Sequence, residues 1–319
     1  MLRTVLLPAF VLALAGTVPA CHRPNEDDLG LPQHGAKAVV VDKLTDPREL
    51  VAALTQPGAA LDDKLGARTL DVQQTTTLTL GAVTDRMEQH ATLELDGKGG
   101  FHLVSDLDHP DKVGQTVQKG DSDGGPRDKV AVSAQGMEAV ALAGTLYVRP
   151  RYGRFVSRRP EPGELDRLRE LAETMLGDDL ELLAPGLAVR DAGAGTVLGH
   201  ATRKLDLSLG EGASAGSDDE ARHAWRKALK IGKLGGRVEV DATTGAPLTG
   251  TLDAEYSMPR EGGMLTTHIV VSLASRAASP LHAPEAVPSP HRPRPMVERN
   301  QLLEGLAPPA GTSAARHPQ

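Results

Sequence analysis

The chain has 319 residues, with 35 lysines and arginines against 42 acidic residues and a net charge of −7. Nucleic-acid binding needs a basic footprint, so this balance excludes that class of partner. Aromatic residues make up 2% of the chain, too few for a site that stacks sugars or bases. The length suits one domain of roughly 240 residues with extensions.

An export signal comes first. Arg3 supplies a short positive region, and Val5 to Ala15 (VLLPAFVLALA) is apolar. That run falls short of the about 20 apolar residues that span a bilayer, and it lies where a secretory signal should. Val18-Pro19-Ala20-Cys21 follows and resembles a lipobox, with an aliphatic residue three before the cysteine and a small one just before it. Pro19 departs from the usual small or hydroxylated residue, and the same residues also suit ordinary signal peptidase. Cys21 is the only cysteine, so it has no disulfide partner within the chain. It is therefore expected to carry diacylglycerol and to anchor the mature chain to a membrane, each buried CH₂ contributing about 0.8 kcal/mol. Loss of residues 1–20 removes Arg3 and takes the net charge to −8. His22, in place of aspartate after the cysteine, favours the outer membrane by resemblance to Gram-negative sorting.

Residues 21–44 form the anchor and an acidic, flexible tether (HRPNEDDLGLPQHG). Structure is expected over 45–276. Asp46-Pro47-Arg48-Glu49 sets an N-cap, a proline at the first helical position and a glutamate at N3. Leu50, Val51 and Leu54 give that helix its stripe before Pro57-Gly58 stops it. Strands with period-two alternation follow. Leu70, Val72, Gln74, Thr76, Leu78 and Leu80 share one face, opposed by Asp71, Gln73 and a run of threonines. Met87, Ala91, Leu93 and Leu95 repeat the pattern, as do Leu205 to Leu209, Leu252 to Met258 and Thr267 to Leu273.

Two amphipathic helices interrupt the strands. One runs from Glu164 to Leu176, with Leu165, Leu168, Leu171, Ala172 and Met175 inward. The other opens on Ser217-x-x-Glu220 and buries Ala221, Ala224, Trp225 and Leu229. Alternation means one buried and one wet face, the mark of antiparallel sheets. The fold class is α+β: a curved, mostly antiparallel sheet with a few helices on its apolar face. Residues 277–319 turn to Pro, Ala, His and Arg and are expected to be disordered, with a transient helix over Val297 to Leu306.

No pattern calls for a cofactor or a metal. Gly212-Ala213-Ser214-Ala215-Gly216 matches G-x-S-x-G, but a nucleophile elbow needs a buried parallel strand joined tightly to its helix. Here the strand is half polar and acidic residues pad both sides, so the segment reads as a linker. Asp121-Ser122-Asp123-Gly124 resembles the start of a calcium loop but lacks the third oxygen ligand and the later glutamate. The eleven histidines, His200 and His268 included, show no ligand spacing. Gly193-Ala194-Gly195 and Gly199 precede a strand, so they form no phosphate cradle.

The segment Tyr147 to Arg159 (YVRPRYGRFVSRR) is different. Against an acidic background it gathers Arg149, Arg151, Arg154, Arg158 and Arg159 with Tyr147, Tyr152 and Phe155. Guanidinium groups recognise phosphate and carboxylate, and aromatic rings favour membrane interfaces. It is expected to contact anionic headgroups or an acidic partner, or else to be a hairpin with a solvated arginine face.

The organisation over residues 45–276 resembles LolA/LolB-type lipoprotein carriers and the related mycobacterial lipid-carrier lipoproteins. The resemblance rests on the early Asp-Pro helix and on Gly144-Thr145-Leu146-Tyr147-Val148 with the amphipathic helix after it. It continues through Thr196 to His200 leading into Lys204-Leu205-Asp206-Leu207, and the hairpin phrase Val240-Asp241-Ala242-Thr243-Thr244-Gly245-Ala246-Pro247-Leu248. It implies an unclosed barrel with helices as a lid and an apolar cavity for acyl chains. Three readings follow: a non-catalytic, lipid-anchored envelope protein carrying a lipid-like ligand; a structural or interaction lipoprotein with a solid core; and, weakest, a hydrolase using Ser214.

Overall fold

The computed structural model describes residues 39–110, 116–118, 129–131, 134–210, 228–260 and 262–289. Asp46 caps the first helix as its sequence predicts, its carboxylate accepting the Arg48 amide at 2.9 Å with Pro47 in the first turn. Helix α1 (Pro47–Leu54) buries Leu50, Ala53 and Leu54. A 3₁₀ turn (Gly58–Leu61) and the single-turn α2 (Asp62–Leu65) lead into the sheet.

Eight strands follow: β1 (Arg68–Leu80), β2 (Val83–Leu95), β3 (Phe101–Asp108), β4 (Thr116–Gln118), β5 (Lys129–Ala131), β6 (Ala134–Leu142), β7 (Thr145–Pro150) and β8 (Val156–Arg158). Helices α3 (Glu164–Glu173) and α4 (Met175–Leu183) precede β9 (Leu187–Val197), β10 (His200–Leu209), β11 (Lys230–Asp241), β12 (Pro247–Arg260), β13 (Gly263–Ala277) and β14 (Val287–Pro288). Among the described residues twelve strands make one open, curved sheet in the order β14-β8-β7-β6-β3-β2-β1-β13-β12-β11-β10-β9, and β4–β5 is a separate pair. Every pairing is antiparallel except β14 with β8. The curved, mostly antiparallel α+β sheet expected from the alternation is the architecture observed, and it stays open as a half-barrel.

Burial follows the two-residue period. Leu70 and Val72 on β1, Leu93 and Leu95 on β2, Phe101 and Leu103 on β3, and Leu252 and Ala254 on β12 are buried with the helices, while Asp71, Gln73 and Thr251 look outward. Helix α3 lies on β1, β2 and β3, α4 on β13, and α1 on β9 and α4. Burying each large apolar side chain contributes about 1.5–3 kcal/mol, so this shared core dominates stability. The hairpin phrase at 240–248 joins β11 to β12. Asp241 Oδ1 accepts the Thr243 and Thr244 amides at 3.0 and 2.7 Å and the Thr244 hydroxyl at 2.8 Å, and Gly245 takes a φ of 74°.

Two expectations need correction. The helix predicted over 164–176 breaks at Thr174, whose hydroxyl reaches the Glu170 carbonyl at 3.1 Å and the Asp178 carboxylate at 2.7 Å, and helix continues to Leu183. Leu171, predicted inward, is 37% exposed. The buried arc of α3 keeps the predicted Leu168 and Ala172 and adds Arg169 and Glu173, which join a buried charged cluster. Residues 278–289, predicted as the start of a disordered tail, run as extended chain. There the Val287 amide donates to the Phe155 carbonyl at 3.0 Å and the Ser289 amide to the Ser157 carbonyl at 3.0 Å. The short edge strand β8 supplies the backbone groups that a composition count does not see.

The charged cluster is buried. Arg169 donates to both carboxylate oxygens of Asp62 at 2.8 Å and to Glu173 at 2.8 Å. Arg68 stands 3.8 Å from Asp62 and 3.9 Å from Glu173 and donates to the Gly66 carbonyl at 3.2 Å. Burial pulls the Arg169 guanidinium down, but the hydrogen bonds and charges of Asp62 and Glu173 outweigh it, so it holds its proton more tightly than usual. Gly58 makes room: a Cβ there would lie 1.9 Å from the Glu173 carboxylate.

Close approach also explains Gly177 on α4. A Cβ there would sit 2.9 Å from the Leu54 carbonyl and 2.8 Å from the Thr55 methyl of the α1 end. Gly177→Ala should therefore destabilise by about 1–3 kcal/mol through overpacking, despite the about 1 kcal/mol that alanine gains in helix propensity. Chemical denaturation measures it, and a more stable variant would show that the α1–α4 contact is loose.

Candidate ligand-binding site

The inner face of the half-barrel changes along its strands. At the end under α3 it is buried and, apart from Arg68, apolar. Towards the β1–β2 and β12–β13 turns, Gln74, Thr76, Leu78 and Leu80 of β1 are only half-buried, as are Met87 and Gln89 of β2, Leu107 of β3, Met137 of β6 and Tyr256 of β12. Register sets them side by side. Thr76 lies between Met87 and Ile269, Leu78 between Asp85 and Thr267, and Gln89 between Gln74 and Leu107. The result is a floor of aliphatic side chains broken by amides and hydroxyls.

Helix α4 lies over β12 and β13. Gly250 leaves space for Leu176, since a Cβ there would be 2.7 Å from its Cδ2. Leu176, Leu180 and Leu183 form the buried stripe of α4, and half-buried Asp179 lies on the same face by helical spacing. Its Oδ2 is inaccessible and has no hydrogen-bond partner. Burial, with a smaller contribution from Asp178, raises the Asp179 carboxyl to about 7. Tyr256 stands near enough to feel that charge. Its phenol is pushed up first by burial, is drawn back by a hydrogen bond shared with Thr267, and rises further with the Asp179 charge. Asp179 lies beyond the predicted helix end at Leu176. The available signal was a carboxylate three residues after one buried leucine and four before another.

The arginine segment contains β7, a turn and β8. Arg149 donates to Glu138 at 2.6 Å and lies over the Phe155 ring, 4.5 Å from its centroid. Glu138 is shared with His102 at 2.8 Å, and His102 also meets Glu94 at 3.0 Å. Arg151 bonds Asp108 at 2.5 Å and Asp106 at 3.1 Å, and lies 5.6 Å from the centre of Tyr152, which is 80% exposed. Arg158 holds Glu164 at 2.7 Å, and this hydrogen bond keeps the Glu164 carboxyl below the ordinary range. Carboxylates of this chain thus neutralise Arg149, Arg151 and Arg158, whereas Arg154 and Arg159 are exposed. Arg149, Arg154 and Phe155 line a groove of about 410 Å³ whose other wall is Glu285 to Val287.

Other sequence candidates are placed or left aside. His200 Nδ1 is 3.4 Å from the buried Asp241 carboxylate, and His268 Nε2 is 2.8 Å from Asp253. Among the described residues no three metal-ligating side chains gather, and no helix is long and apolar enough to cross a membrane. Cys21, Asp121, Asp123, Ser214, Trp225 and the 297–306 segment lie outside the described residues.

No protein-family model and no curated protein matches the chain. Solved structures similar to it include LprF from Mycobacterium bovis (13% identity, 75% of this chain and 97% of that one, TM-score 0.28). Others are the Mycobacterium tuberculosis lipoprotein LppX (11%, 74% and 99%, TM-score 0.27) and a putative outer membrane lipoprotein-sorting protein domain from Vibrio parahaemolyticus (9%, 72% and 95%, TM-score 0.20). The open sheet with helices on its inner face is the arrangement that the sequence resemblance implies.

Proposed function

We propose that this chain is an exported, lipid-anchored protein of the cell envelope that holds a lipid-like ligand against the inner face of its half-barrel and catalyses no reaction. The anchor is Cys21, and the outer membrane is the membrane it is sorted to. The half-buried row Leu78, Met87, Leu107, Met137 and Tyr256 carries this reading, because that end of the inner face keeps accessible surface where the other end is solidly packed. Each CH₂ of an acyl chain laid there contributes about 0.8 kcal/mol. Native mass spectrometry of the domain without residues 1–21 should show co-purified lipid and uptake of a fluorescent acylglycerol. Bare protein with no uptake would instead support an interaction lipoprotein with a solid core.

The exposed Arg154 and Arg159 favour an accompanying contact with anionic headgroups. Arg154→Ser with Arg159→Ser should reduce co-sedimentation with anionic vesicles while leaving stability unchanged. Arg149→Ser or Arg158→Ser should lower stability instead, since each takes a guanidinium partner from a part-buried carboxylate, Glu138 or Glu164. Vesicle binding that survives the double variant removes the headgroup role.

A further inference from the structure

A carboxyl in the apolar stripe of a helix is costly unless something completes it. Asp179 lies on that face beside Leu176, Leu180 and Leu183, half-buried as a residue, and its Oδ2 has neither solvent nor a hydrogen-bond partner. The side chain acts on Tyr256, an inner-face residue of β12 bonded to buried Thr267 and half-buried itself. Across the register, Tyr256 is paired with Ile231 and Thr267, and Thr267 with Leu78. Tyr256 and Thr267 thus make a polar spot among aliphatic side chains on the floor assigned above to a lipid-like ligand, and the Asp179 carboxyl of α4 acts on that spot from above.

We infer that Asp179 and Tyr256 are the head-group subsite of that ligand, and that they select an amphiphile whose head is uncharged and bears a hydroxyl. This inference rests on the lipid-binding reading and names the chemistry of the bound head. A hydroxyl is both donor and acceptor, so it completes Oδ2 in either protonation state: it donates to the carboxylate and accepts from the acid. A head that only accepts bonds the acid and leaves the carboxylate bare. An anionic head brings a second negative charge into a poorly screened place. Tyr256 and Thr267 offer further hydroxyls for a polyol or glyceryl head. The charged and titratable groups acting on Asp179 are Asp178 on its own helix and Tyr256 on β12.

The test uses the full mature lipoprotein in vesicles of uncharged phospholipid. Three diazirine probes share one chain length: a monoacylglycerol, a fatty methyl ester and an alkyl sulfate. None of these heads titrates near neutrality, so a change with pH belongs to the protein. Photolabelling of inner-face residues is read by mass spectrometry one pH unit below and one above the value of about 7 at which Asp179 ionises. Above it, the monoacylglycerol should label about fivefold more than the methyl ester, the weight of one net hydrogen bond. Labelling by the alkyl sulfate should fall as pH rises through that step. Asp179→Asn should abolish both pH dependences while still admitting the monoacylglycerol. Tyr256→Phe should lessen the head preference without moving the pH step.

Inner-face labelling that is equal for the three probes and indifferent to pH and to Asp179→Asn overturns the subsite and leaves lipid binding standing. No inner-face labelling by any probe overturns lipid binding itself. If Asp179→Asn does not fold, the pH profile of the unaltered protein decides the question.

Discussion

Arg169→Met should cost about 3–5 kcal/mol of stability, the range for removing one partner of a buried ion pair. The loss comes from what stays behind. Asp62 and Glu173, both less than 10% exposed, would keep Arg68 as their nearby cation, at 3.8 and 3.9 Å rather than at hydrogen-bonding distance. Arg169→Lys keeps the charge but not the planar fork that meets both oxygens of Asp62, so it should fall between the two. Equilibrium denaturation measures the series, with a fall in Tm on the order of 10 °C for the methionine variant. A loss below about 1 kcal/mol, the level of an exposed pair, would show that water reaches the cluster.

Asp179→Asn should stabilise the protein, and the gain should grow with pH. Burial, with a smaller contribution from Asp178, raises the folded-state carboxyl to about 7 from its ordinary 3.8. Between those values the folded chain binds the proton more tightly than the unfolded chain does, so stability falls as pH rises. Below about 4 both states are protonated and the residue contributes nothing through ionisation. Above about 7 the destabilisation is complete, at a few kcal/mol. Asparagine removes that dependence, so the difference in Tm between variant and parent should open between pH 4 and 7 and then level off. A constant difference across the range would mean that Asp179 is solvated in the folded state.

Local patterns were legible where a short stretch carries its own reason. The cap at Asp46, the alternation of β1, β2, β12 and β13, and the Asp241 turn each follow from residues a few positions apart. Pairings across long separations were not. Arg169 and Glu173 have the spacing of an ordinary surface pair on a helix, and the partner that takes them inside, Asp62, is 107 residues away. The arginine run from 149 to 158 looked like a free positive face because Asp106, Asp108 and Glu138 sit on other strands and meet it only through the order β3-β6-β7. The path of residues 278–289 depends on an open edge at β8, which composition does not report. Asp179 is hidden for a simpler reason, since the sequence predicts a helix that stops at Leu176 and the helical segment runs to Leu183.

The pairing of β1 with β13 runs from Arg68 opposite Ala277 to Leu80 opposite Leu265 and joins the two halves of the sheet at its centre. This ladder has a kinetic meaning. It closes a loop of nearly the whole domain, so the central seam forms only once residue 277 is available, and such non-local closure is slow. Until then each half exposes an unpaired central strand and cannot complete its core. For a chain proposed to cross a membrane before it works, that delay is useful: the polypeptide stays threadable through a translocation channel and folds on the far side.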